Sequence, residues 1–458
     1  YALDLAHFHE TSRDIPIVPV LIATQAPSQG VGLGLWKGHG VHTPVCASPS
    51  DLGLLIRQFV AASSAPPIDA IRWAEGAYRP TPTIIEAAQA LFRGHDVAEI
   101  SRSGAGVENL GRTNAAIDSV IARCEANSEK AIVFVTGVPG AGKTLAGLHI
   151  ACSRMDAKTG TPATFLSGNG PLVEVLKEAL IRDRRRRQRE PVPGDPEIRY
   201  LANREPDAFV QNVHKFRDDQ LRNRAPPADH VVIFDQAQRA WTANETRRFM
   251  TTKRGMAEWH QSEPEFLLSV MDRHPDWCTV ICLVGEGQEI NRGEAGIGAW
   301  VEALGRGALN RWRVHASPHL VGRESRLDPQ LRSYLAHRAA PGNEDLHLAV
   351  SVRSFKARQL SAFVGAILDD DPVGARNLMP DPSDFPIVRT RSLTLARRWL
   401  RDRRVGGDRA GLVASSNGLR LKPEGLFLKS KVDVCSWFLN GRDDVRSSDM
   451  LEDAASEF

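Results

Sequence analysis

The stretch Gly137-Val-Pro-Gly-Ala-Gly-Lys-Thr144 follows the apolar run Ile132 to Val135 and precedes a segment with helical character. Few short sequences restrict a fold so strongly. The pattern needs a strand to enter it and a helix to leave it, and both flanks are present. Gly137, Gly140 and Gly142, with Pro139 and Ala141 between them, let successive backbone N–H groups face one point at a helix N-terminus, where the dipole favours negative charge. Lys143 is then placed to reach the β- and γ-phosphates of a nucleotide, and the Thr144 hydroxyl to ligate Mg²⁺. A purely structural glycine-rich turn is the competing interpretation, and the strand and helix flanks weigh against it.

The surrounding sequence has the grammar such a loop requires. Ala131 to Thr136, Thr164 to Ser167, Val231 to Asp235 and Thr279 to Gly285 are short apolar runs, separated by helical stretches from Lys143 and from Pro171 to Ile181. Nearly continuous apolar strands alternating with helices indicate a parallel sheet covered on both faces. A second block with the same pattern starts at Leu346-His-Leu-Ala-Val350 and continues through Ala410 to Ser415 and Ser436 to Leu439, so two α/β domains in tandem are expected. Before them, the run Ile15 to Ala23 predicts a strand and Leu52 to Ala62 an amphipathic helix, followed by helix-like segments over 84–93 and 113–127. A chain of 458 residues holds about two to four domains at roughly 150 residues each, which accommodates this division.

Composition excludes several classes. No apolar run approaches the roughly 18 to 20 residues that span a bilayer, and Tyr1-Ala-Leu-Asp4 does not open a signal pattern, so a soluble, cytoplasmic protein without a membrane partner is expected. The six cysteines contain no Cys-x-x-Cys pair, and Cys278 and Cys282 read as buried small hydrophobes. Net charge is only +3, yet 47 of the 58 basic residues are Arg. That preference follows from genome base composition more readily than from phosphate binding. The run Arg182-Asp-Arg-Arg-Arg-Arg-Gln-Arg189 is either a solvated extension of the preceding helix or a contact to nucleic-acid phosphates.

A phosphate loop needs a carboxylate on a neighbouring strand to hold the metal's water shell, and Val231-Val-Ile-Phe-Asp235 supplies one. Gln236 follows, where hydrolytic enzymes of the helicase type carry Glu. An amide orients water but takes no proton, so Gln236 predicts slowed turnover with nucleotide binding retained. The alternative is that another carboxylate, Glu286 or Glu289, acts in its place. Gln288, in Leu283-Val-Gly-Glu-Gly-Gln-Glu-Ile290, is placed to sense the γ-phosphate and fits the third motif of superfamily 1 helicases. Ser351-Val-Arg-Ser354 resembles the fourth motif, which would send Arg353 across an interdomain cleft to stabilise transition-state charge. Thr164-Phe-Leu-Ser-Gly-Asn-Gly-Pro171 stands where that superfamily touches the nucleic-acid backbone.

Together these segments resemble the bacterial Schlafen-group-3-like DNA/RNA helicase domain, a branch of superfamily 1. The resemblance rests on Phe134 to Thr144, Phe165 to Leu172, Asn212-Val-His-Lys-Phe216, Val232-Ile-Phe-Asp-Gln-Ala-Gln-Arg-Ala-Trp241, Ser262-Glu-Pro-Glu-Phe266, Cys282 to Gly285 with Gly287 to Asn291, and Ser351 to Phe355. It runs from about residue 80 to the end. It implies an α/β fold of tandem RecA-like P-loop NTPase domains, with ATP and Mg²⁺ between them and single-stranded DNA or RNA across the top, touched by Ser167, Asn169 and His214. The expected division is an α/β fragment over 1–62, a linker and helical segment over 63–115, a first RecA-like domain over 116–320 and an incomplete second over 321–458.

Three departures from the family stand out. Gln236 replaces Glu. The last residues look like the lead-in to a fifth motif, and the first ten resemble the segment after the Glu-x-Lys of a restriction-nuclease-like domain, so truncation at both ends is expected. His7, His9 and Glu10 read as a partly exposed helix face rather than a metal site, and no nuclease activity is assigned. The leading expectation is an ATP-dependent helicase-like hydrolase acting on DNA or RNA. The alternative is a nucleotide-dependent switch that clamps nucleic acid without productive turnover. A GTPase is disfavoured because the chain has no Asn-Lys-x-Asp motif.

Overall fold

A computed structural model describes residues 44–62, 67–74, 83–92, 104–138, 140–154, 162–189, 209–256, 258–285, 294–322, 327–340, 344–349, 356–368, 370–382, 385–403, 411–415, 417–426, 428 and 431–452, with 2, 5, 9–12, 15–25, 27 and 42 near the start. Strands β1 (Val20–Ile22) and β2 (Val45–Ala47) form a separate parallel pair, followed by helix α1 (Leu52–Ala62). The strand expected over 15–23 is thus reduced to three residues. His9 is buried, with Nδ1 2.6 Å from the Ser12 hydroxyl and its ring edge-on to Trp73, which corrects the partly exposed helix face expected there. His7 lies outside the described residues.

Helices α2 (Ile84–Phe92) and α3 (Gly104–Asn127) lead into the main unit. There β3 (Lys130–Gly137), α4 (Lys143–Ser153), β4 (Ala163–Ser167), α5 (Gly170–Arg189), β5 (Val210–Asn212), α6 (Val213–Arg222) and β6 (Val231–Asp235) follow one another. Then come α7 (Ala243–Arg254), α8 (Glu263–Met271), β7 (Cys278–Val284), α9 (Gly298–Leu304), β8 (Arg313–Ala316), α10 (Pro329–Arg338) and β9 (His347–Leu348). Strands β3 to β9 make one seven-stranded sheet in the order β5-β4-β6-β7-β3-β8, with β9 also paired to β3, and every pairing is parallel.

The period of two along a strand explains why these apolar runs are unbroken. Ala131, Val133 and Val135 of β3 face a core shared with α2, α3, α4 and α5, while Ile132 and Phe134 face the core shared with α6, α8, α9 and α10. In β6 and β7 the same alternation divides Ile233, Ile281 and Leu283 from Phe234, Val280 and Cys282. Both sides of each strand are therefore dry, and polar alternation would bury unpaired groups. Cys278 and Cys282 are buried as expected, and burial pushes both thiols up.

Two boundaries shift. Residues 84–115, expected within a linker and helical segment, pack α2 and the first part of α3 into the first core through Leu91, Phe92 and Leu110. The run 346–350, expected to open a second domain, instead adds β9 to the first sheet and buries Leu346 and Leu348 in that core, so the unit continues past residue 320. Beyond β9 lie α11 (Lys356–Leu368), α12 (Pro372–Asn377), α13 (Leu393–Arg403) and α14 (Val434–Leu439). Among the described residues no strand follows Leu348. Residues 411–415 are irregular with Val413 fully exposed, and the expected strand 436–439 is helical. Its physical cause is Asp433, whose carboxylate accepts from the Ser436 N–H and hydroxyl and caps α14. Among the described residues no helix is long and apolar enough to cross a membrane.

Candidate nucleotide and nucleic-acid site

The site residues meet at the C-terminal ends of the strands. Strand β3 ends at Gly137, where an added Cβ would lie 2.7 Å from the Leu348 Cβ and 3.0 Å from its carbonyl oxygen, so only glycine fits against β9. The Val138 N–H donates to that same Leu348 oxygen at 3.1 Å. Gly140 and Gly142 have φ of 77° and 86°, the left-handed region that favours glycine, and Gly142 is the N-cap of α4. Ala141 is buried and Pro139 lies outside the described residues. Lys143 opens α4, and its ammonium donates to the Gly137 and Val138 carbonyls at 2.6 and 3.2 Å.

Asp235 ends β6 opposite Ser167 of β4. It is 2% exposed and its Oδ1 accepts from the Thr144 hydroxyl at 3.2 Å, while Oδ2 is buried without a hydrogen bond. Burial pushes its carboxyl up to about 6, against the pull of the Thr144 hydroxyl and the Lys143 charge. Lys143, Thr144 and Asp235, 92 residues apart at the extremes, are thus brought to one end of the sheet. They offer a cation, a hydroxyl and an unsaturated carboxylate beside the N-terminus of an eleven-residue helix.

Gln236 follows in a left-handed conformation, φ 57° and ψ 51°, which is costly for a residue with a side chain. Its Oε1 accepts from Arg239 at 2.9 Å, and Arg239 also donates to Glu294 at 3.2 Å. Two residues further along the chain from Gln236, the buried Gln238 accepts the Gly285 N–H at 3.0 Å and so ties the end of β6 to the end of β7. Strand β7 lies between β3 and β6, but Glu286, Gln288 and Glu289 beyond it are outside the described residues, as is Arg353.

The three residues expected to touch nucleic acid behave differently. Ser167 is fully buried and its hydroxyl accepts the Asn169 N–H, so it shapes the turn into α5. Asn169 is partly exposed and accepts from the Leu172 N–H. His214 packs tilted against Trp241, ring centres 4.4 Å apart, and stands 3.5 Å from Glu263, beside the buried Arg217, whose guanidinium lies 4.5 Å from the centre of the Phe249 ring. The basic run continues α5, with Arg182 bonded to Glu178 and Asn440, and Arg186 to Asp183.

Some participants carry no sequence signal. His347 of β9 accepts or donates at 2.8 Å to the Thr136 hydroxyl and stacks on His319 at 3.5 Å. Burial, then His319 and Lys143, pushes its imidazole down to about 4, so it is neutral at pH 7 beside the lysine. Nothing in a strand of two residues, 211 positions from Thr136, marks it in advance.

No curated protein matches the chain. The sequence model of the Schlafen group 3, DNA/RNA helicase domain matches residues 130–458, starting later than the resemblance noted from about residue 80. With this match spanning most of its length and Lys143, Thr144 and Asp235 gathered at one end of a parallel sheet, the chain belongs to the Schlafen group 3 DNA/RNA helicase domain family.

Proposed function

We propose that the chain binds ATP with Mg²⁺ at the 137–144 loop and is an ATPase-type helicase-like protein acting on single-stranded DNA or RNA in the cytoplasm, with hydrolysis slowed by Gln236. The observation that carries this reading is the convergence of Lys143, Thr144 and Asp235, with Asp235 Oδ2 buried and unpaired. A buried carboxylate oxygen without a partner costs free energy unless a cation occupies its other side, and a hydrated Mg²⁺ meets that need. Lys143 would hold the phosphates, Thr144 and Asp235 the metal, and the loop N–H groups the remaining negative charge. When bound, the ion neutralises charge on the phosphates. Gln288 and Arg353 keep their expected roles as γ-phosphate sensor and interdomain arginine, and Asn169 that of a backbone contact.

Gln236 also supports the second reading, a nucleotide-dependent clamp. Its amide is already engaged by Arg239 and takes no proton from water. Steady-state ATP hydrolysis with and without single-stranded DNA or RNA separates the two. Stimulated turnover supports the motor, ATP-dependent retention of the strand without turnover supports the clamp, and neither effect overturns both. In Gln236→Glu the new carboxylate faces Arg239, and hydrolysis is expected to rise by about 10²-fold or more, the usual contribution of a positioned base. An unchanged rate excludes the slowed-hydrolysis reading.

A further inference from the structure

At the opposite end of the sheet from the nucleotide site, we infer a divalent transition-metal site of the zinc class, held by His230, His274 and Asp276. His230 directly precedes β6, Asp276 lies two residues before β7, and those strands pair in parallel with Val231 opposite Thr279. His274 stands in the turn between α8 and β7. Backbone register thus collects three donors from two segments, and one ligand atom from each lies within 4.8 Å of the others. His230 Nε2 and Asp276 Oδ1 are 3.4 Å apart. Bonds of about 2.0–2.1 Å in a tetrahedron set its ligands about 3.3 Å apart, so this edge already has the required length.

The second observation is the state of His274. Its side chain is 3% exposed and its Nε2 is buried with no hydrogen bond. The ring's one backbone bond is to Asp229, which leaves Nδ1 as the nitrogen engaged. An imidazole whose Nδ1–H is held by a carbonyl presents the Nε2 lone pair outward, the arrangement found behind metal-ligating histidines. His230 is also fixed in place, stacked on Trp277 at 4.7 Å and packed tilted against the His274 ring at 4.2 Å. The nearby Lys130 ammonium is held by the Asp272 carboxylate at 2.8 Å and its carbonyl at 2.6 Å, so its charge is locally balanced. Two imidazoles and one carboxylate select zinc-class ions over Mg²⁺ or Ca²⁺, which prefer all-oxygen shells. Asp276 is about half exposed, which gives the ion an entry path and leaves a fourth position to water. Bound there, the ion ties the 272–277 turn to the start of β6.

The test uses the whole chain, stripped with chelator and titrated with Co²⁺ and then Zn²⁺. The wild type is expected to develop the visible absorption of four-coordinate Co²⁺ at one ion per chain, to lose it on Zn²⁺ addition, and to gain thermal stability with Zn²⁺. Asp276→Asn changes an exposed side chain, so its metal-free Tm should equal that of the wild type. Its Co²⁺ affinity should fall by at least about tenfold, and the Zn²⁺-dependent Tm rise should vanish. His230→Gln should behave the same way. Absence of one-to-one binding, or identical Co²⁺ and Zn²⁺ responses in wild type and Asp276→Asn, overturns the site.

Discussion

A single carboxyl carries much of the proposed chemistry and some of the instability. Asp235 is raised from 3.8 to about 6 by burial, so the folded chain binds its proton more tightly than the unfolded chain does. The sign follows by linkage: this group costs nothing below the unfolded value, and its penalty grows as pH rises through about 6. At pH 7 and above the cost is at most about 3 kcal/mol. Asp235→Asn keeps an oxygen for the Thr144 hydroxyl and removes the charge. It is expected to raise the ligand-free Tm at pH 7.5, to lose that advantage below pH 4, and to abolish the Mg²⁺-dependent part of nucleotide binding. Thermal scans at the two pH values check it, and a variant less stable than wild type at pH 7.5 contradicts it.

Between elements, α4 packs closely against the sheet. A Cβ on Gly147 would lie 2.7 Å from Leu283 Cδ1, 3.0 Å from Ile233 Cγ2 and 3.1 Å from Phe165 Cε2, atoms of three different strands. Gly147→Ala should therefore destabilise by about 1–3 kcal/mol despite its better helix propensity, a loss measurable by chemical denaturation. An unchanged midpoint would mean that α4 can retreat from the strands. The strands themselves were legible because burial on both faces demands unbroken apolar runs, and β3, β4, β6 and β7 each have one. That Lys143, Thr144 and Asp235 meet was legible for a different reason, because the proposed phosphate and metal chemistry would fix residue type and order. By contrast β9 misled, since an apolar run does not say which sheet it joins, and α14 misled because one capping aspartate outweighs the apolar run Trp437-Phe-Leu439. The hold of Arg239 and Glu294 on Gln236 was invisible, because it depends on side chains that meet only after the sheet has formed.

For the molecule as a whole, stability is unevenly distributed. Both large cores lie between Ala87 and Leu348, whereas α13 buries no residue and Ile367, Leu368, Val373 and Leu395 are all more than half exposed. Segments with few buried contacts open at low free energy. Brief trypsin treatment of the ligand-free chain is expected to cut at Arg389, Arg391 or within 398–403 before it cuts at Arg239 or Arg338, which are held by Glu294 and by the Trp312 carbonyl. Mass spectrometry of the early fragments tests the order, and simultaneous cleavage contradicts it. Strand β9 gives this unevenness a mechanical meaning. It joins the sheet through two residues, at Thr136 and Gly137, and hands its last carbonyl to Val138. Tension applied to the chain beyond Ala349 bears first on Asn109 of α3, whose Oδ1 accepts the Ala349 N–H at 2.9 Å, and then on the glycine loop. Along the chain itself that pull reaches the backbone that would grip a phosphate, while α14 is anchored separately to α5 through Arg182 and Asn440, so the loop is a strain gauge for what pulls on β9.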